Sequence, residues 1–120
     1  MPTLTTRGKS ATAILWTLQI VCATMFLFAG GSKLAGATMM VQTFDAIGVG
    51  QWFRYLTGAI EVIGALLLPV PSLAFFGALA LAVTMVGAVI THLFIIGGSP
   101  ALPIILFAVV GTIAWLRRPA

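Results

Sequence analysis

The sequence predicts an all-α integral membrane protein: a four-helix bundle running up-down-up-down, with a short interfacial helix between spans one and two. Three observations carry this expectation. The 120 residues are 61% hydrophobic and only 7% charged, with a mean hydropathy of +1.18. A soluble domain carries about a quarter charged residues to meet water, so most of this surface is expected to face something less polar. The few charges are also segregated, since residues 10–32 and 62–116 contain no Asp, Glu, Lys or Arg. Uncharged apolar runs of about 18 residues or more read as membrane spans. Finally, Pro and Gly cut the apolar sequence into pieces of spanning length.

Span one is placed at about residues 11–33. Arg7 and Lys9 precede it as they would a signal peptide. The apolar stretch is too long for an h-region, however, and Phe28-Ala29-Gly30-Gly31 is a poor cleavage site, so the segment is read as a membrane helix. In the longer connection that follows, Met40, Phe44 and Ile47 recur at i, i+4 and i+7, which predicts a short helix stopped by Gly48. Span two is expected at about 52–68, with Pro69 and Pro71 punctuating the turn after it. Span three, about 73–96, takes Ser72 as its expected cap and ends at Gly97-Gly98. Span four, about 100–117, takes Ser99 as cap and carries Pro100 and Pro103 in its first turn, where missing N–H groups cost little. At 1.5 Å per residue each span is about 25–35 Å long, enough to cross the hydrocarbon. All four belong to one transmembrane domain, residues 1–120.

Basic residues set the orientation. Arg7 and Lys9 lie before span one and Arg117 and Arg118 after span four, against Lys33 and Arg54 on the other side. The positive-inside rule then places both termini in the cytoplasm. Trp52, Tyr55 and Trp115 suit interfacial belts. Small residues predict how the helices meet: Ala74, Ala78 and Ala82 form one stripe, Ala80, Thr84 and Ala88 another, and Gly58 and Ala65 stand seven apart on span two. Such stripes let backbones approach closely in lipid, either within the bundle or across a homo-oligomer seam.

Composition also excludes function classes. A pI near 10.3 would suggest nucleic acid in a soluble domain. Here the six basic residues are scattered and four sit at the termini, so nucleic acid is not expected as a partner. One cysteine precludes an internal disulfide or a CxxC pair, and one histidine precludes bis-His haem ligation within the chain. No phosphate loop, GxGxxG or HExxH is present, and no intrinsic cofactor or metal site is recognisable. Cys22 reads as inert packing and Asp45 as a solvated loop residue.

Glu61 is the most informative residue. It lies nine residues after Trp52, about 13 Å along the helix and close to the midplane. An ionised carboxylate there costs at least about 2 kcal/mol unless paired, so it should face protein or water. Cα–Cβ bonds tilt toward a helix N-terminus. Lys33 and His92, on outward-running spans, therefore lean into the membrane, and Glu61, on an inward-running span, leans toward them. Arg54 shares the Glu61 face two turns above, with Gly58 leaving a gap between them. Its tilt favours the headgroups, which ranks it second as a partner. The expectation is a polar pocket open to the extracytoplasmic side, built by Lys33, Arg54, Glu61 and His92, with Tyr55 and Thr57 nearby. Each residue also has a plainer reading. Glu61 could be half of a structural ion pair, Lys33 a snorkelling span end, His92 an interfacial anchor and Arg54 a headgroup contact.

Phe26-Leu27-Phe28-Ala29-Gly30-Gly31-Ser32-Lys33-Leu34 resembles the F-x-x-A-G-x-x-K-L ending of the first span in DoxX-like membrane proteins. The segment from Gly48 to Pro69, with Gly58, Glu61, Gly64 and Ala65 forming G-x-x-E-x-x-G-A, is similar to that family's second span. Ala88, His92-Leu93 and Trp115-Leu116-Arg117 extend the likeness over nearly the whole chain. The resemblance implies a four-helix protein of the bacterial cytoplasmic membrane, with Lys33, Arg54, Glu61 and His92 at the family's polar positions. Founding members are small subunits linked to a thiosulfate:quinone oxidoreductase. Other relatives belong to oxidative-stress complexes or assist assembly of membrane proteins.

Three functions follow as expectations. The first is an accessory subunit that holds a quinone, lipid or similar amphiphile above Glu61, or docks onto a membrane oxidoreductase complex. The second is a small proton-coupled transporter of the four-span multidrug type. An enzyme acting alone ranks last, because no nucleophile–base–orienter set is evident.

Overall fold

The computed structural model describes residues 8–119. Arg7, counted above in the basic flank, lies outside them. Among the described residues the regular structure is entirely helical, without strands. The order is α1 (Lys9–Ala35), α2 (Thr38–Ile47), α3 (Trp52–Leu67), α4 (Ala74–Thr91), a π-helical turn (His92–Ile96) and α5 (Ala101–Leu116). Two stretches are long and apolar enough to cross a membrane: α1, and α4 together with the π turn. The helices α3 and α5 are shorter, at 16 residues each.

Glycine decides where several of these helices stop. At the end of α1, Gly36 adopts φ 73°, and the N–H groups of Gly36 and Ala37 return to the carbonyls of Lys33 and Ser32. This is a left-handed C-terminal cap, a conformation that side chains with a Cβ resist. Gly48 closes α2 in the same way, as the Met40–Phe44–Ile47 spacing anticipates, and Phe44 is the buried residue of that helix. Gly97 and Gly98, both at positive φ, end the π turn. Ser99 behaves as expected: its Oγ accepts the Ala101 N–H at 3.2 Å. Ser72 does not, because α4 begins at Ala74 behind Leu73, with no side-chain cap bond.

The helix α3 lies against α1 on one side and α4 on the other, and α4 lies against α5. The shared core includes Leu15, Phe26, Leu68, Leu81, Val110 and Ile113. The Ala74, Ala78 and Ala82 stripe is buried within the fold. Backbones approach most closely at two glycine crossings. A Cβ on Gly30 would lie 2.8 Å from the Gly58 carbonyl oxygen, and one on Gly77 would lie 2.7 Å from that of Gly64. Gly58 is therefore not a gap beneath Arg54 but the seat of α1 on α3.

A polar clasp ties α1 to α5 and to the end of α3. Gln19 is fully buried; its Nε2 donates to the Leu68 carbonyl at 2.7 Å, and its Oε1 accepts from Arg117 Nε at 3.0 Å. The Arg117 guanidinium also lies over the Trp16 ring, 5.1 Å from its centroid. Arg117 thus belongs to the packed interior as well as to the basic flank. Gln19→Leu removes both amide bonds and is expected to lower stability by about 1–3 kcal/mol, read from unfolding in detergent micelles.

Candidate functional site

The Gly30–Gly58 crossing places the principal charges. The two helices run past each other in opposite senses. The Lys33 Cβ stands 2.9 Å from where a Gly58 Cβ would be, and the Glu61 Cβ stands 2.9 Å from where a Gly30 Cβ would be. Each charged residue is thus seated over the other helix's glycine. Lys33 Nζ reaches Glu61 Oε1 at 2.7 Å, and the pair is largely enclosed, with side-chain exposures of 15% and 3%. At this separation the attraction between the two groups offsets part of what enclosing them away from water costs.

Arg54 has a different role from its sequence reading. Its tilt suggests a headgroup contact, yet it is buried. Its Nη1 donates to the Lys33 carbonyl, its Nε donates to Gln51 Oε1 at 2.6 Å, and its guanidinium lies over the Tyr55 ring at 4.3 Å. Gln51 in turn donates to Asp45 Oδ1 at 2.9 Å and to the Val41 carbonyl at 3.1 Å. A cation at the carbonyl end of α1 complements the helix dipole. Arg54 therefore holds the last turn of α1, and with it Lys33, from behind. Asp45, read as merely solvated, is the outer member of this relay.

Lys33 and Glu61 open onto a cavity of about 700 Å³, within the range of pockets that take drug-sized ligands. Thr57 and His92 also line it, with Phe26 and Met25 from α1, Phe44 from α2, and Leu102 and Leu106 from α5. Arg54 and Tyr55 do not line it. His92 is not drawn to the ion pair; its Nδ1 lies 2.9 Å from the Gly97 carbonyl oxygen, across the π turn. The structure thus joins Lys33, Glu61 and Arg54 into one cluster and leaves His92 elsewhere on the same wall. Sequence reasoning placed Thr57 near the pocket but missed Gln51, whose only signal is its place three residues before Arg54, and Thr43, Thr84 and Thr91 of the cavity wall.

These features define a class: an apolar helical protein with an ion pair buried at a glycine crossing and exposed to an internal cavity. The chain belongs to the DoxX-like family, whose family model matches residues 17–116. It is also similar to a protein of Bacillus subtilis (strain 168) named "Putative oxidoreductase CatD", at 32% identity over 80 residues. That match covers 62% of this chain and 55% of the relative, so the chain spans about half the length of the curated relative it matches. No solved structure matches the chain.

Proposed function

We propose that this chain is a multi-pass subunit of the bacterial cytoplasmic membrane that binds a quinone or lipid-like amphiphile and serves a membrane oxidoreductase complex. In this reading α1, α3, α4 with its π turn, and α5 form four up-down spans with both termini cytoplasmic. The helix α2 rests at the outer interface, and Lys33, Glu61 and His92 are the ligand-facing polar groups. One observation carries the proposal: the buried Lys33–Glu61 pair forms part of the wall of a large, mainly apolar cavity. A charged pair retained in such surroundings is a functional hypothesis by default, and apolar lining with few polar groups suits an amphiphile. The relative named as an oxidoreductase supports the redox setting. The chain's single cysteine and single histidine leave electron transfer to a partner.

The transporter reading is weaker. A carboxylate held 2.7 Å from an ammonium is poorly placed to cycle protons, because the lysine opposes each protonation. Native mass spectrometry of protein released gently from its own membrane tests the main proposal. A small molecule retained by the natural chain and lost in Glu61→Gln is expected. Retention in both proteins would remove Glu61 from the site, and a bare homodimer would favour transport.

A further inference from the structure

The hydrogen-bonding character of the cavity wall is lopsided. Thr43, Thr57, Thr84 and Thr91 all line it. Each donates its hydroxyl proton to the carbonyl four residues earlier, at 2.8, 2.8, 2.9 and 2.8 Å respectively. A hydroxyl has one proton to give, so these four side chains offer the cavity lone pairs alone. His92 is biased the same way. Its Nδ1 faces the Gly97 carbonyl oxygen, which can only accept, so Nδ1 carries the proton and Nε2 of the neutral ring is an acceptor. Glu61 adds carboxylate oxygens. Among the described side chains of the wall, the N–H or O–H donors that remain are the Lys33 ammonium, already turned to Glu61, and Ser99, which is exposed.

From this imbalance we infer that the cavity selects amphiphiles whose polar end donates a hydrogen bond, an alcohol or a phenol, over the same molecules ending in a carbonyl or an ether. The inference rests on the binding function proposed above and narrows its ligand class. A hydroxyl gives its proton to one of the wall's acceptors and can take one of Lys33's spare N–H bonds in return. A group that only accepts can take the same N–H from Lys33 but offers no proton in return, and so leaves all of the wall's acceptors facing apolar atoms, which is unfavourable away from water. For a ligand that exists as a carbonyl and as its reduced hydroxyl form, the protein would hold the reduced form preferentially.

The test uses the full chain in lipid nanodiscs and a matched pair of probes, 4-dodecylphenol and its O-methyl ether, with saturable binding followed by tryptophan fluorescence. One hydrogen bond of difference corresponds to about tenfold tighter binding of the phenol, and that preference should shrink toward unity in Thr57→Val/His92→Phe protein that retains its helical circular dichroism. Equal affinity for the two probes, or tighter binding of the ether, overturns the donor selectivity while leaving amphiphile binding intact. If neither probe saturates, the binding function fails and the selectivity fails with it. The comparison of probes on the natural chain needs no variant, so misfolding of the double substitution does not blunt it.

Discussion

Lys33→Met is expected to destabilise the fold by about 3–5 kcal/mol, the range for removing one member of a buried ion pair. The loss arises because Glu61, with its side chain 3% exposed, would keep its burial and lose its partner. Combining Lys33→Met with Glu61→Leu should restore most of the loss, since replacing both charges with apolar groups removes the desolvation penalty along with the attraction. Unfolding equilibria of the natural chain, both single variants and the double variant in mixed micelles form the test. Additive losses in the double variant would show that the two charges do not depend on each other.

The second large effect is steric. Gly58→Ala puts a methyl group 2.9 Å from the Lys33 Cβ and 3.0 Å from the Gly30 carbonyl oxygen, and Gly30→Ala does the reciprocal at 2.8 Å from the Gly58 carbonyl oxygen. Backbone at these positions cannot yield as a side-chain tip could. Each substitution should therefore cost about 1–3 kcal/mol and draw Lys33 and Glu61 apart. Gly31→Ala is the control, because nothing lies within 4 Å of its Cβ position. It should be neutral, or gain up to about 1 kcal/mol of helix propensity. Equal losses at positions 30 and 31 would mean that the crossing is looser than these distances require.

The limits of α3, α4 with its π turn, and α5 lie within a residue or two of the expected spans, because hydropathy and turn residues both act locally. The short helix ending at Gly48 was legible for the same reason. The Lys33–Glu61 partnership also followed from sequence, since opposed Cβ tilts on adjacent helices bring the two charges toward one level. Arg54 escaped the same reasoning. Its position is decided by the carbonyl end of α1 and by Gln51, and a single-helix tilt argument contains neither. Gln19 escaped because an uncharged amide in an apolar run names no partner by its charge, although its burial is complete. Gly30 was visible as part of a family-like motif but not as a seat for Glu61, since close approach depends on a second helix. The acceptor character of the cavity could not be read at all without knowing where each threonine proton goes.

The π turn at His92–Ile96 has a consequence for how chain length carries information here. None of its residues is buried, and Leu93, Phe94 and Ile95 are exposed, so their identities are weakly constrained. Their number is not. A π turn holds more residues than the α-helical turn it replaces, and each residue of an α-helix turns the chain by about 100°. Losing any one of the five would rewind the segment, swing Ile96 off the cavity wall and shift the Gly97 carbonyl away from His92. Between Thr91 and Gly97, a one-residue gap in an aligned homologue therefore marks a rebuilt cavity, whereas substitutions confined to Leu93, Phe94 and Ile95 mark only drift.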